Sequence, residues 1–216
     1  IRSCLVGSEM CIRDSSINRM IATMASIVTY WYKYSHEGED ISLLNDEDTL
    51  AGHFLHILHG KPPSDLHKKV MDTSLILYAE HEFNASTFTA RVCASTMSDI
   101  FSCVVAAIGS LRGPLHGGAN EAAMDMIENW KTRNEAKSNI LTMLQNKEKI
   151  MGFGHAVYSE VDPRNAVIKE YSKKLSDEFG DSTLYEVSEE VEKTMWDEKK
   201  LFANADFFHA SAYFYM

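Results

Sequence analysis

Residues 88–111 read FTARVCASTMSDIFSCVVAAIGSL, and their periodicity decides the fold class. Cys93, Met97, Ile100, Phe101, Val104, Val105 and Ile108 recur at steps of three and four, which lines them along one helix face. Small residues between them (Ala94, Ser95, Ser102, Ala106, Ala107, Gly109) allow a neighbour to pack closely. Gly113-Pro114 ends the run. The spacing predicts one helix across the whole stretch.

Helical patterns continue on both sides. Upstream, 17–34 is apolar and aromatic and reads as a buried helix, followed by an acidic loop to Asp48. Helices are expected over 49–58, closed by Gly60 and Pro62-Pro63, and over 66–79, with Val70, Leu75 and Leu77 inward. Downstream, 119–130 carries Ala123, Met126, Ile127 and Trp130 on one side, and Asn134 is placed to cap a helix reaching about Asn146. Asp162-Pro163 is a strong helix start, an acidic cap followed by proline at the first helical position, with Val167, Ile168, Tyr171 and Leu175 inward. Ser182 is placed to cap a last one that buries Leu184, Val187, Val191 and Met195. No alternating strand of useful length and no internal repeat occurs, so the expected architecture is all-α, two subdomains meeting near Gly113.

Composition narrows the function. The 216 residues hold 21 Lys and Arg against 31 Asp and Glu, a net charge of −10, which argues against nucleic-acid and polybasic membrane partners. A 45% hydrophobic content is enough for a core, and eleven glycines and four prolines disfavour turn-rich β architectures. Cys4, Cys11, Cys93 and Cys103 form no CxxC pair, no apolar run approaches membrane-spanning length, and no signal-type segment opens the chain; a soluble cytoplasmic protein is expected. Residues 1–15, IRSCLVGSEMCIRDS, lack periodicity and resemble a translated sequencing adapter, so they are set aside from the fold.

Three breaks carry polar groups suited to chemistry: 114–121 (PLHGGANE), 152–155 (GFGH) and 204–206 (NAD). His116 precedes a helix N-terminus, where free N–H groups favour a neutral imidazole and an anionic or enolate ligand; a histidine packed at a turn fits the same text. His155 follows Gly-x-Gly, which admits a ligand near the backbone or simply makes a tight turn, and lacks the third glycine of a dinucleotide site. Asp206 sits among Phe202, Phe207 and Phe208, a setting that raises a carboxyl pKa toward that of a base, although local sequence alone favours a helix-cap role. Arg164 stands in a first helical turn, where an acid is favoured, and so implies a carboxylate partner or a surface ion pair. His53, His56 and His59 do not share one helix face, and no metal site is expected. His116-Gly-Gly-Ala echoes an esterase oxyanion loop, but no Gly-x-Ser-x-Gly accompanies it.

Taken together, the text resembles the citrate synthase family. The matching segments are 80–88 (EHEFNASTF), 111–121 (LRGPLHGGANE), 152–158 (GFGHAVY), 162–164 (DPR), Met195-Trp196 and 204–207 (NADF), in the family's order, and the likeness runs from about Ser16 to Met216. It implies an all-α two-domain fold, with 16–112 part of the large domain, 113–210 the small domain carrying most catalytic residues, and 211–216 the return to the large one. It implies condensation of an acyl-CoA with oxaloacetate: Asp206 as base, His116 on the thioester oxygen, His155 on the oxaloacetate carbonyl, His81 and Arg164 as oxaloacetate ligands. Glu148, Lys149, Ile150, Met151 and Gly152 correspond to a segment contacting CoA, with Lys147 or Lys149 near its phosphates. Ala156, where many members carry Arg, leans toward the branch that turns propionyl-CoA into 2-methylcitrate in propionate breakdown; acetyl-CoA giving citrate is the alternative, and a non-catalytic helical scaffold a remote one. Ala205 and Phe208 also vary around the base. No permanently bound cofactor is expected. The family implies a homodimer and further substrate-binding arginines beyond Met216, one from the partner chain, so the chain is expected to be an inactive fragment.

Overall fold

The computed structural model describes the backbone of residues 2–216 and side chains from residue 15 onward. The side chains of the adapter-like stretch 1–15, except the last, therefore lie outside the described residues. Among the described residues there are ten α-helices and one π-helical turn, and only an isolated bridge between Phe153 and Ala203 in place of a sheet. None of these helices is long and apolar enough to cross a membrane. The chain divides into two compact units, residues 1–75 and 76–216.

The first unit holds α1 (Arg2–Tyr32), a π-helical turn (Lys33–Glu37), α2 (Leu50–His59) and most of α3 (Asp65–Tyr78). The helix expected over 17–34 thus ends two residues earlier and passes into a wider turn that stops at Gly38, where φ is +69°. α2 starts where Thr49 Oγ1 accepts from Gly52 N at 2.9 Å. Leu55, Ile57 and Val70 form its core. Glu47 takes Lys68 at 2.7 Å, and His53 is engaged by Ser26 at 2.9 Å and by Asn45 at 3.0 Å.

The second unit begins at the end of α3 and contains α4 (Ala85–Ser95), α5 (Ile100–Leu111), α6 (Ala119–Ile127), α7 (Arg133–Gln145), α8 (Pro163–Phe179), α9 (Thr183–Lys199) and α10 (Ala205–Tyr215). The single helix read over 88–111 is two helices, α4 and α5, packed on each other. Met97 turns the chain with φ +64°, and Asp99 Oδ1 caps α5 by accepting from Phe101 N at 2.9 Å and Ser102 N at 3.0 Å. The cap of α7 is Thr132, which accepts from Glu135 N at 3.1 Å, rather than Asn134. Ser182 makes no cap bond; its hydroxyl goes to Glu186, and Asp181 accepts from Thr183 N instead.

α10 is the axis of this unit. It packs on α8, α6 and α9, and Phe207, Phe208, His209, Ala210, Ser211 and Ala212 are all buried, so the helix is covered nearly all round. Ser211 and Ser172 share a buried hydroxyl contact of 2.7 Å between α10 and α8, and the Tyr215 hydroxyl accepts from Tyr185 N on α9. Such a helix is held rigidly, and its first turn is where Asp206 stands.

Candidate active site

The site grows from three tight turns of the second unit. The first is 113–118. Gly118 N and His116 N both donate to Gly113 O, and the chain folds back so closely that a Cβ on Gly117 or Gly118 would lie 2.7 Å from the carbonyl of Leu111 or Arg112. Only glycines fit, and they deliver His116 to the start of α6. Asn84 caps α4 by accepting from Thr87 N at 2.9 Å, and this sets Ser86 so that its backbone N–H donates to His116 Nε2 at 3.2 Å. Ser86 Oγ lies 2.8 Å from the same nitrogen. A ring nitrogen that accepts a backbone N–H carries no proton, so the ring proton of His116 sits on Nδ1.

The second turn is 152–155. Gly152 and Gly154 have φ of +83° and +71°. Gly154 N donates to Phe202 O, Asn204 N to Gly152 O, and Asn204 Nδ2 to Gly154 O, each at 2.9 Å. This ladder ties the loop of His155 to the loop that opens α10. His155 Nδ1 accepts from Val157 N at 3.0 Å and Tyr158 N at 3.2 Å, so its ring proton is on Nε2. That nitrogen is 3.1 Å from His81 Nε2, and the rings of His81, His155 and Tyr158 stack within 5.5 Å of one another. Burial, then the neighbouring His81 and Arg164, hold the His155 pKa below the usual histidine value, which keeps the imidazole neutral.

The third turn, 202–206 at the start of α10, is joined to α8 through Asp162. Asp162 caps α8 by accepting from Arg164 N at 3.0 Å. Fully buried, it also takes Arg164 Nε at 3.0 Å and Nη2 at 2.8 Å, and accepts from Ala205 N at 2.9 Å. The carboxylate partner implied for Arg164 is thus its own helix cap, engaged on one edge of the guanidinium. The outer edge, Nη1 and the second Nη2 hydrogen, remains for another carboxylate. Burial opposes the charge of Asp162, but Arg164 outweighs it and the pKa lies below the usual value.

Asp206 follows directly. Asn204 Oδ1 accepts its N–H at 3.0 Å, so the helix cap is Asn204 and the Asp206 carboxylate is released from that duty. The Asp206 carbonyl accepts from Asn120 Nδ2 on α6 at 2.9 Å, and Oδ1 accepts the hydroxyl of Tyr78 at 2.6 Å. Burial raises the carboxyl pKa above its usual range, against the pull of Tyr78 and Arg164. Arg164 and His116 both lie close enough to bear on the Asp206 carboxylate, and His81, Arg164 and Asp206 on His155, so the five residues singled out from the sequence share one electrostatic neighbourhood.

Residues 148–152 enter this framework unevenly. Ile150 and Gly152 are buried, and a Cβ on Gly152 would lie 2.8 Å from Phe207 Cβ; Glu148 and Lys149 are exposed and Met151 is half-buried. Four contributors were not found from sequence: Tyr78, Ser86, Asn120 and the second role of Asp162. Among the described residues no group of three or more His, Cys, Asp or Glu side chains could hold a metal ion. A carboxylate of raised proton affinity, two imidazole N–H donors and an arginine fork suit removal of a proton next to a carbonyl and polarisation of a second carbonyl.

Known proteins are similar to this chain in sequence and fold. The family profile for the citrate synthase C-terminal domain matches residues 7–216. The 2-methylcitrate synthase of Shewanella oneidensis is 63% identical over 199 residues, 92% of this chain and 53% of that protein. The citrate synthase of Deinococcus radiodurans is 42% identical over 93% of this chain and 54% of its own length. The ternary complex of carboxymethyl coenzyme A and oxaloacetate with citrate synthase from the archaeon Thermoplasma acidophilum aligns with a TM-score of 0.82 at 32% identity, covering 91% of this chain and 52% of that one. The chain spans about half the length of the curated relatives it matches. With almost all of its residues inside that profile, and an all-α fold shared with these structures, the chain belongs to the citrate synthase family.

Proposed function

We propose that the full-length protein condenses propionyl-CoA with oxaloacetate, giving 2-methylcitrate and free CoA. The observation that carries this reading is the meeting of Asp206, His116, His155 and Arg164 on one rigid frame, with donor atoms fixed by backbone N–H groups. The 63% identity to a 2-methylcitrate synthase supports the choice of acyl group.

Each residue then has a defined task. Asp206 takes a proton from the carbon next to the thioester. His116 Nδ1–H donates to the thioester oxygen as negative charge develops there. His155 Nε2–H exchanges its His81 partner for the oxaloacetate ketone and polarises it, with His81 beside it, and the outer edge of Arg164 holds a substrate carboxylate. The enolate carbon attacks the ketone carbon, and water then cleaves the thioester to release CoA. Residues 148–152 serve the CoA chain, with Lys149 near its phosphates. In this reading residues 113–210 are the small domain, and the protein is a cytoplasmic homodimer of propionate catabolism.

A second reading has acetyl-CoA as substrate and citrate as product; the 42% identity to a citrate synthase favours keeping it. One methylene in a pocket is worth only about 1–3 kcal/mol, so the two activities differ in degree. The test is CoA thiol release by the full-length protein at fixed oxaloacetate. A higher kcat/KM for propionyl-CoA supports the first reading, and a higher one for acetyl-CoA the second. A folded protein that releases no thiol from either refutes both and leaves a helical scaffold.

A further inference from the structure

Tyr78 closes α3, and its hydroxyl donates to Asp206 Oδ1 at 2.6 Å across 128 residues of sequence. The phenol ring lies against the imidazole of His209, centroids 4.5 Å apart. His209 is fully buried and fixed by its own bond: Nδ1 approaches Ala205 O at 2.5 Å, and since a carbonyl only accepts, Nδ1 donates. Ala205 in turn donates to the buried Asp162. The tyrosine therefore rests on a side chain anchored to the same helical turn that carries Asp206. Burial keeps the His209 pKa down at about 4, so this support is uncharged near neutral pH. Burial likewise lifts the Tyr78 pKa above its usual value, so the phenol keeps its proton and remains a donor.

We propose that Tyr78 is the positioning residue of the base: its hydroxyl occupies Oδ1 of Asp206, fixes the rotation of the carboxylate and leaves Oδ2 to receive the proton. The inference deepens the condensation reading and rests on it. In the step concerned, the C–H bond next to the thioester breaks, its electron pair passes into the enolate, and the proton bonds to Oδ2. Tyr78 stays neutral and gives up nothing. A hydrogen bond to the charged carboxylate favours ionisation and offsets the burial of Asp206. Tyr78 is 41% exposed as a residue and only its hydroxyl end is enclosed, against Asp206, so a change there does not open the core.

The test uses the full-length protein with Tyr78→Phe and with 3-fluorotyrosine at position 78, a more acidic phenol. The phenylalanine variant is expected to lose about tenfold or more in kcat, the scale of a hydrogen bond to a charged group, with the oxaloacetate KM unchanged. The acid limb of its kcat/KM profile moves to higher pH, while the fluorinated protein moves it to lower pH. A difference infrared titration of the Asp206 carboxylate, wild type minus Asp206→Asn, shifts in the same directions and does not depend on turnover. Unmoved limbs and an unmoved carboxylate titration overturn the proposal, even where kcat falls. If the wild type releases no CoA, the condensation reading fails, and the infrared shift alone decides whether Tyr78 governs Asp206.

Discussion

His81 Nε2 and His155 Nε2 lie 3.1 Å apart, and the direction of the bond between them is fixed by the chain. Two backbone N–H groups point at His155 Nδ1, so His155 donates through Nε2 and His81 accepts. His81 must then carry its own proton on Nδ1. Nitrogen-15 spectra of the full-length protein near neutral pH are expected to show His155 protonated at Nε2 and His81 at Nδ1. A protonated Nδ1 on His155 would show that the two N–H groups do not set the tautomer. Substituting His81→Asn removes a neighbour that lowers the His155 pKa, which should rise.

Asp206→Asn separates chemistry from architecture. Its N–H to Asn204 and its carbonyl to Asn120 are backbone groups and survive the change, and an amide oxygen still accepts from Tyr78. The carboxylate is expected to matter only to proton transfer, so kcat should fall by about 10²–10⁴-fold with an unchanged circular dichroism spectrum. Because burial raises the carboxyl pKa, the wild-type acid limb lies above the usual carboxylate range, and it should vanish from any residual activity. Undiminished turnover in the variant would remove Asp206 from the mechanism.

Asp162 joins stability to the substrate contact proposed for Arg164. Its carboxylate is fully buried and bonds the Arg164 side chain, the first N–H of α8 and the first N–H of α10. Its folded pKa is depressed, so its contribution is present above the unfolded carboxylate pKa and is lost as pH falls through the folded value. Asp162→Asn leaves the arginine half-paired and should cost roughly 2–4 kcal/mol at pH 7, somewhat below a fully buried pair because Arg164 keeps some solvent. The oxaloacetate KM should rise together with the loss of stability. Urea denaturation of the full-length protein at pH 7 and at acid pH checks both parts: the gap between variant and wild type narrows as the pH drops.

The sequence made visible what depends on neighbours in the chain. Asp162-Pro163 begins a helix where its cap chemistry places it, the helix read over 49–58 starts at Leu50 with Thr49 as its cap, and His116, His155 and Asp206 all stand at Gly-rich or cap-like breaks. The break at 96–99 was hidden because the apolar spacing runs through it in phase; only Asp99 marks it, and Met97 is 95% exposed rather than part of a face. α10 left no periodic signal because a helix covered nearly all round, with only the apolar Tyr213 and Phe214 exposed, has no polar stripe. Tyr78, Ser86 and Asn120 reach partners 128, 30 and 86 residues away, and no local pattern encodes such pairings. The apolar setting read for Asp206 matches its raised pKa, yet Phe207 and Phe208 themselves turn into the core.

Asp99→Ala tests the hidden break. The side chain satisfies two N–H groups at the start of α5, so its loss should lower stability modestly, with activity unchanged because no site residue lies on α5. A thermal melt of the full-length protein would detect a Tm lowered by a few degrees. An unchanged Tm would mean that α4 and α5 separate for reasons other than the cap.

Gly152→Ala tests whether the close approach of two loops builds the site. Gly152 has φ +83°, and an added methyl would lie 2.8 Å from Phe207 Cβ and 3.1 Å from its Cα. Neither atom can swing away, because Phe207 is fully buried and belongs to α10. The strain must therefore move the backbone of α10 or of the 152–154 loop, at roughly 2–4 kcal/mol when the left-handed conformation and the overpacking are taken together. Either movement pulls on the bonds from Asn204 to Gly152 and Gly154, and so on the spacing of Asp206 and His155. Gly152→Ala should thus lower both Tm and kcat, whereas Gly180→Ala should lower Tm alone. Gly180 has a similar φ of +80° but open space around its Cβ position and no link to the site. Equal kcat in the two variants would show that the ladder between 152–154 and 202–204 does not set the spacing of Asp206 and His155 that the proposed chemistry needs.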